Sequence, residues 1–306
     1  MLPFRFGAVT DELDDDLDRA LAIARDLGIG AVELNQLWGR GVVELPETEI
    51  ARAERILGAA GTNIVAIDSP CFKPCVLDHL PVGRVAEDPE VARHLALLDR
   101  ALELARRFSA PFVRLFSFRR SGIVGLGNPS PRPPDGGPIP EEMLDRIAEG
   151  LREAARRAEE AGVMLILENV RSCWANTGIN TAAVLEAVDS PALRALWDPA
   201  NDFVSGGVPY PTGYEAVRPH LQHVHVKDAR IEDAAAGLTS WAPIGEGEVD
   251  YQGQIRALLE DGYPGVVALE THWRPAGGSA EAASRHSFAG LLALVREMAD
   301  SASGAV

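Results

Sequence analysis

The chain has 306 residues, 46% of them hydrophobic, and its 45 acidic against 29 basic residues give a formal net charge of −16. This length can bury one large core, and a closed α/β barrel commonly takes about 250 residues as one domain. The negative charge argues against nucleic acid as a partner, because no basic surface is available to displace counterions from phosphates.

The sequence shows no sign of export or of membrane insertion. No basic stretch followed by an apolar segment stands at the start, and no apolar run approaches the roughly 18 residues needed to cross a bilayer. The cysteines Cys71, Cys75 and Cys173 form no pairing pattern, and no partner for a Cys71/Cys75 metal half-site stands out. We therefore expect buried free thiols, a cytoplasmic location and no contact with membranes.

Strand and helix patterns alternate along the first half. Apolar runs at 6–9, 31–35, 63–68 and 112–118 predict strands, and stretches at about 11–27, 46–60 and 89–108 predict the helices between them. Ten Gly and Pro residues then interrupt the pattern, which predicts a long loop at about 119–139. Such a loop either closes over a site as a mobile lid or is an insertion without substrate contact.

Four apolar runs of the second half each lead into a residue that binds metals. These residues are Glu168 after 164–167, Asp198 after 195–197, His225 within 223–228 and Glu270 after 266–269. With helices at about 140–161 and 280–299, the chain shows eight strands alternating with eight helices and no nucleotide-binding glycine motif. This pattern predicts an α/β protein in which residues 1–306 form a single (β/α)₈ TIM barrel.

In such a barrel the carboxyl ends of the strands meet at one rim, so these four side chains should converge. Three carboxylates and one imidazole suit one divalent metal ion, either Mn²⁺, Mg²⁺, Co²⁺ or Zn²⁺. The alternative for each glutamate is a structural salt bridge with an arginine. Two such glutamates with Asp198 and His225 between them favour the metal site.

Residues near the four ligands are candidates for substrate binding. Only one of His223 and His225 is expected to face into the barrel, and His225 is preferred because it is nearer the end of its strand. Lys227 is predicted to share the face of His225, and Arg230, Asn201 and His272 are further candidates, with salt bridges or packing as the alternative roles. In the first half, the candidates that follow strand ends are Asn35, Trp38, Lys73 and Ser117.

At these positions the chain resembles the sugar phosphate isomerase/epimerase superfamily of xylose isomerase-like barrels. The stretches that carry the resemblance, which extends over nearly the whole chain, are 167–169 (Leu-Glu-Asn), 197–201 (Trp-Asp-Pro-Ala-Asn), 223–228 (His-Val-His-Val-Lys-Asp), 244–247 (Ile-Gly-Glu-Gly) and 269–272 (Leu-Glu-Thr-His). The resemblance implies that Glu168, Asp198, His225 and Glu270 hold one divalent ion, as in the ketose 3-epimerases. It also implies that Glu168 and Glu270 are the acid–base pair. Asn201 is a departure, because those epimerases often have a histidine there.

The implied activity is an isomerase or epimerase that acts on a sugar or related hydroxycarbonyl through an enediolate. A metal-dependent lyase, either a dehydratase or a glycoside-cleaving subunit, is the alternative. A nuclease similar to endonuclease IV is less favoured, since no histidine precedes His79 and the charge is −16. A non-catalytic metal-binding subunit is a further alternative. The expected partner is a small carbohydrate-like molecule, and homo-oligomer formation is left open.

Overall fold

A computed structural model describes residues 2–121, 137–233 and 238–303. Its eight parallel strands close a barrel in chain order, with the last strand paired to the first. The strands are β1 Arg5–Val9, β2 Ala31–Leu34, β3 Asn63–Asp68, β4 Phe112–Leu115, β5 Met164–Glu168, β6 Leu193–Trp197, β7 Leu221–Val226 and β8 Val266–Leu269. The predicted (β/α)₈ architecture is therefore confirmed.

A principal helix follows each strand. These helices are α1 Leu17–Leu27, α2 Glu47–Ala60, α3 Pro89–Phe108, α4 Glu141–Ala161, α5 Gly178–Val188, α6 Pro199–Ser205, α7 Tyr251–Glu260 and α8 Ala280–Ser303. Shorter helical turns cover Thr10–Leu13, Val42–Glu44, Val85–Glu87, Pro209–Gly213, Tyr214–Val217 and Arg218–His220. None of the helices in the described part of the chain is both long enough and apolar enough to span a bilayer.

Helix ends are set by local side chains. The Asp88 carboxylate accepts hydrogen bonds from the first backbone N–H groups of α3, and Pro89 occupies its first turn, where no N–H is required. Gly28 and Gly162 end α1 and α4 in the left-handed conformation, with φ of 74° and 68°. These signals explain why the predicted helices lie close to the observed ones.

Several predicted boundaries differ from the structure. The first predicted helix, at about 11–27, is broken at Asp14–Asp16, where Asp16 caps the start of α1. The predicted strand at 112–118 ends at Leu115, and the last helix continues to Ser303 instead of stopping near 299. Two antiparallel hairpins follow β2 and β7, formed by Gln36–Leu37 with Arg40–Gly41 and by Asp228–Asp233 with Leu238–Ala242. Most of the predicted 119–139 loop lies outside the described residues.

Apolar side chains fill the space between strands and helices and also the amino end of the barrel. Ala31, Phe112 and Val266, which begin their strands, belong to small apolar clusters apart from the main core. Charged residues therefore collect at the carboxyl end. The three cysteines are buried free thiols, as predicted, and burial raises the pKa of each to about 12.

Candidate metal centre

The four predicted ligands come together at the carboxyl end of the barrel. Glu168 is the last residue of β5, Asp198 follows β6, His225 is the penultimate residue of β7 and Glu270 follows β8. All four are buried, and one ligand atom from each lies within 4.8 Å of the others. The arrangement agrees with the expectation that parallel strands bring their carboxyl ends to one rim.

Asp198 is held in place by its role at the start of α6. One carboxylate oxygen accepts a hydrogen bond from the Asn201 backbone N–H at 2.9 Å, and Pro199 occupies the first helical position. The Asn169 side chain bonds both the N–H and the C=O of Asp198, each at 2.8 Å, which joins the ends of β5 and β6. The second carboxylate oxygen of Asp198 is left to face the other ligands.

Two buried cations lie among the carboxylates. Lys227 Nζ is 2.6 Å from Asp198 Oδ2, contacts Glu270 Oε2 and is 3.9 Å from Glu168 Oε1. Arg114 Nη1 is 3.3 Å from Glu168 Oε2 and 3.5 Å from Glu270 Oε1. Burial lowers the pKa of both basic groups, but the surrounding carboxylates outweigh it and raise each pKa above its ordinary value. Both side chains therefore stay charged.

Both histidines of β7 face the barrel interior, which corrects the expectation that only one does. Side chains two residues apart on a strand point to the same face, so His223 and His225 lie on one side of β7. Their Nε2 atoms are 2.9 Å and 3.0 Å from the two carboxylate oxygens of Glu33 on β2. His225 Nδ1, in turn, is 3.3 Å from Glu270 Oε2. The ring of His225 therefore lies between Glu33 and the ligand cluster.

Electrostatics keep some of these groups charged and others neutral. Burial raises the pKa of Glu270, but Lys227, His272 and His225 oppose it and hold the pKa well below the usual range. Burial lowers the pKa of His225, whereas Glu33 and Glu270 raise it well above its ordinary value. The pKa of Asp68 is raised mainly by burial, since Arg114 only partly offsets that effect.

Several atoms of the cluster are buried without a satisfactory hydrogen bond. Glu168 Oε2, Asp198 Oδ2 and His225 Nδ1 have no hydrogen-bond partner of acceptable geometry among the described residues, although Arg114, Lys227 and Glu270 approach them as ion pairs. Buried polar atoms normally have a partner. Together with Glu270, the cluster offers three carboxylates and one imidazole nitrogen, a donor set whose chemistry fits a divalent cation.

Of the other predicted site residues, Asn201 and Lys227 contact the ligands directly. The Asn201 side-chain amide donates a hydrogen bond to Glu168 Oε1 at 3.0 Å. Tyr251 bonds the backbone N–H and C=O of Lys227, which fixes the base of the lysine side chain. Lys73 lies 4.5 Å over the ring of Phe116, and Arg114 also stacks on that ring at 5.2 Å, so Lys73 is close to the cluster.

His272 and Trp38 make contacts away from the four ligands. His272 has a positive φ of 51°, and its Nδ1 lies 2.9 Å from the buried Glu12 carboxylate. Its ring also meets Trp241 edge-on at 5.3 Å. The Trp38 indole N–H donates to Asp16 at 3.3 Å, and its ring lies under the Arg52 guanidinium.

Arg230 and Asp228 attach the loop 244–249 to the end of β7. Arg230 donates from Nε to the Glu246 carbonyl at 2.8 Å, and nearly half of its side chain is exposed. The buried Asp228 carboxylate accepts hydrogen bonds from the backbone N–H groups of Ala229, Gly245, Gly247 and Val249. A Cβ atom at Gly247 would lie 2.0 Å from Asp228 Oδ1, so this position requires glycine.

A second group of potential ligands consists of Cys75, Glu90 and His94. The sequence did not indicate these partners for Cys75, because they come from α3. His94 Nδ1 accepts a hydrogen bond from the Phe72 backbone N–H at 3.2 Å, which places the imidazole proton on Nε2. Nε2 of that tautomer has no free lone pair for a metal. The three residues are therefore of the types that bind metals, but His94 is not in the tautomer that such a site requires.

Three residues that contact the ligands or a partner of the ligands were not predicted from the sequence, namely Glu33, Asp68 and Arg114. Arg114 Nη1 is 3.6 Å from Asp68 Oδ2 as well as close to the two glutamates. All three lie in barrel strands β2 to β4. In the sequence, each of them is a charged residue in a short apolar strand. Because burying a charge without a partner is costly, this position indicates that the residue has a charged partner inside the barrel.

Comparison with known proteins identifies a family and several relatives. Residues 21–294 match the model of the xylose isomerase-like TIM barrel family. Fructoselysine 3-epimerase from Escherichia coli O157:H7 is 26% identical over 259 residues, which cover 83% of this chain and 85% of that protein. Inosose dehydratase from Lacticaseibacillus casei is 26% identical over 152 residues, which cover 44% of this chain and 49% of that protein.

Among solved structures, a xylose isomerase-like TIM barrel protein from Mycobacterium smegmatis in complex with magnesium superposes with a TM-score of 0.66. The match is 20% identical in sequence and covers 97% of this chain and 99% of that one. The curated relatives are named as epimerases and dehydratases, which confirms the expectation of an enzyme. The chain belongs to the xylose isomerase-like TIM barrel family.

Proposed function

We propose that the protein is a divalent-metal-dependent isomerase or epimerase that acts on a sugar or a related hydroxycarbonyl compound. The observation that carries the proposal is the convergence of Glu168, Asp198, His225 and Glu270 within 4.8 Å. The relative named fructoselysine 3-epimerase supports a carbohydrate-like substrate and an epimerisation. Both expectations agree with two carboxylates placed in one buried cluster.

The metal is proposed to be Mn²⁺, Mg²⁺, Co²⁺ or Zn²⁺, held by the same four residues. The magnesium bound by the Mycobacterium smegmatis relative supports a divalent ion of this kind. When bound, such an ion polarises a substrate carbonyl and stabilises negative charge on its oxygen. Arg114 and Lys227 add positive charge around the same carboxylates.

Glu168 and Glu270 are proposed to move the proton. The pKa of Glu270 lies well below its usual range, which keeps the group ionised, as a proton acceptor must be, but also makes it a weaker base. One glutamate removes a proton from the carbon next to the carbonyl to give an enediolate, and the other returns a proton to the opposite face of the same carbon. Return to the adjacent carbon would instead interconvert aldose and ketose. Lys227 and Asn201 are proposed to orient the reacting groups.

The candidates more distant from the cluster are proposed to contact other parts of the substrate. Lys73 lies close to the cluster through Phe116, and His272 lies beside Trp241. Trp38 and Arg230 are engaged by Asp16 and by the Glu246 carbonyl, so contact with substrate would require their present partners to be exchanged. These two are therefore the weakest substrate contacts of the proposal.

A lyase is the second candidate, and a specific contact favours it. Loss of water is assisted by positive charge beside the departing hydroxyl, and Lys227 is a buried cation within the ligand cluster. The relative named inosose dehydratase supports this chemistry. A nuclease or a non-catalytic subunit has no comparable support, because the two curated relatives described above are named as an epimerase and a dehydratase.

The proposal is tested by incubating a panel of hydroxyketones in D₂O with metal-loaded protein. An isomerase or epimerase should introduce deuterium at the carbon next to the carbonyl. The variants Glu168→Gln and Glu270→Gln keep the side-chain size but remove the base, so exchange should fall by roughly 10²–10⁴-fold. Because both residues are proposed ligands, metal occupancy is measured in the same samples by elemental analysis.

The product mass separates the two candidates. An epimerised or isomerised product has the mass of the substrate apart from deuterium, whereas a dehydratase product is lighter by one water. Metal-loaded protein that exchanges no deuterium with any hydroxyketone, but releases water or an aglycone, would replace the isomerase proposal with the lyase. Full metal occupancy after Ala replacement of each of the four ligands in turn would refute the metal site.

Domain organisation, location and assembly are proposed on the sequence alone. Residues 1–306 are proposed to unfold as one domain, with a cytoplasmic location, and homo-oligomer formation is left to measurement. A single calorimetric transition with equal calorimetric and van't Hoff enthalpies would be expected of one domain. Light scattering would give the molar mass of the assembly in solution.

A further inference from the structure

Inside the barrel, the buried carboxylate of Glu33 on β2 connects two histidines of β7. Glu33 has no exposed surface, and its two oxygens lie 2.9 Å and 3.0 Å from Nε2 of His223 and His225. With one ring nitrogen at hydrogen-bond distance from each of its oxygens, the carboxylate accepts from both imidazoles, so both donate from Nε2.

This arrangement decides which nitrogen of His225 is available as a ligand. When a metal ion binds, it displaces the proton on Nδ1, and Glu33 keeps the remaining N–H on Nε2, which leaves the lone pair of Nδ1 for the ion. Nδ1 is the atom that faces the ligand cluster, at 3.3 Å from Glu270 Oε2 and 4.0 Å from Glu168 Oε1. Glu33 itself is not one of the four converging ligands, so its influence acts through the ring of His225.

We infer that Glu33 is a positioning residue that fixes the tautomer and the ring orientation of His225 for a divalent ion. The inference rests on the proposed function, because it needs the metal site. Carboxylates that accept the second N–H of a metal-binding histidine typically contribute roughly 10–100-fold to metal affinity. Glu33 accepts the N–H of His225 across the barrel interior, since two strands, β1 and β8, separate β2 from β7.

His223 should allow Glu33 to be replaced by glutamine without loss of the hydrogen bond to His225. His223 Nδ1 is buried and has no hydrogen-bond partner among the described residues, so moving its proton from Nε2 to Nδ1 breaks no further bond described there. A glutamine at position 33 offers one acceptor and one donor. The donor can face His223, which then accepts through Nε2, while the acceptor still receives the N–H of His225.

The test compares Glu33→Met with Glu33→Gln. Mn²⁺ affinity is measured by titration calorimetry, and the imidazole nitrogens are assigned by ¹⁵N NMR in metal-free and Zn²⁺-loaded protein. We expect Glu33→Met to weaken Mn²⁺ binding by roughly 10–100-fold and to mix the two tautomers of His225. Glu33→Gln should remain within about threefold of wild type, because only His223 changes tautomer.

Glu12→Met is the matched control. Glu12 is a second buried glutamate paired with a histidine, His272, but it contacts none of the four ligands by a hydrogen bond or ion pair among the described residues. Its loss should lower stability yet leave Mn²⁺ affinity within about threefold, as expected of an independent site. A general effect of losing a buried glutamate would instead weaken both variants alike, and that result would overturn the inference.

The outcomes separate the inference from the proposed function. If wild-type protein binds Mn²⁺ and Glu33→Met binds it equally tightly with an unchanged His225 spectrum, the inference is wrong and the metal site stands. If wild-type protein binds no divalent ion, the proposed function is wrong. Should Glu33→Met fail to fold, Glu33→Gln decides the matter, because a tautomer change at His225 instead of His223 would contradict the inference.

Discussion

The two halves of the barrel contribute to the candidate metal centre in different ways. Strands β5 to β8 supply all four proposed ligands, each at or just after the carboxyl end of its strand. Strands β2 to β4 supply Glu33, Asp68 and Arg114, which contact the ligands or their partners from within the strands. The second half therefore presents the proposed ligands and reacting groups, and the first half contacts them and contributes the charge of Arg114.

The largest effects are expected for the two buried cations, one from each half. Lys227→Met and Arg114→Met each leave buried carboxylates unpaired, so metal-free protein should lose about 3–5 kcal/mol of unfolding free energy. Added Mn²⁺ should restore more stability to Lys227→Met, because the contacts of Lys227 are with proposed ligands. Arg114 also pairs with Asp68, which is not a proposed ligand.

These free energies are measured by urea unfolding with and without Mn²⁺. Lys73→Met is the control, since Lys73 contributes a cation–π contact worth about 1 kcal/mol or less. If Mn²⁺ restores the same unfolding free energy to Lys227→Met and Arg114→Met, the two halves of the barrel do not differ in how they contact the metal centre.

A smaller effect is expected for a matched pair of asparagines. Asn201 of the second half donates to Glu168 Oε1, whereas Asn35 of the first half bonds Arg114 and Asp11. Asn201→Ala should weaken Mn²⁺ binding by roughly 10-fold, as for other residues that orient a ligand. Asn35→Ala should remain within about threefold. Titration calorimetry checks both values, and a larger loss for Asn35 would mean that the first half acts on the metal more directly.

The smallest effect concerns Glu12, which ties the start of the chain to His272 and Arg274 after β8. Burial raises the pKa of Glu12, but the hydrogen bond and charge of His272 outweigh it and lower that pKa below 4.5. Its stabilisation is therefore present above about pH 4.5 and lost as the pH falls through the folded-state pKa. Glu12→Gln should cost about 1 kcal/mol near pH 7, a low value because both partners are more than one-third exposed.

This difference should shrink when the unfolding free energies of Glu12→Gln and wild type are compared below pH 4. If the difference in unfolding free energy stays constant between pH 3 and pH 7, the charge of Glu12 does not contribute to stability.

The sequence predicted the barrel well because its signals are local. Apolar runs for buried strands, amphipathic helices and glycine stops recur in order, and each of these depends on neighbouring residues only. The boundary at Asp16 was missed although its signal is local too. The Asp16 side chain accepts a hydrogen bond from the Arg19 backbone N–H and caps α1, which breaks the continuous helix that the pattern predicted.

The local character of these signals also explains which site residues were predicted. Glu168, Asp198 and Glu270 stand directly where an apolar run ends, so position alone indicated the rim. Glu33 lies one residue before the end of β2, between Val32 and Leu34, and its partners are about 190 residues away in the chain. No local pattern reports such a contact. The prediction for His223 was wrong for a different reason, because residues two apart on a strand share a face and both histidines therefore point into the barrel.

The Asp228 carboxylate, which gathers four backbone N–H groups of the segment 229–249, has a consequence for engineering. Asp228 is not one of the four proposed metal ligands, so we expect that the hairpin and loop that it holds can be exchanged without changing those ligands. Asp228, Gly245 and Gly247 should be transferred together when such a segment is grafted from a relative. A donor loop that brings its own side chains but loses this aspartate would lack the attachment that orients it.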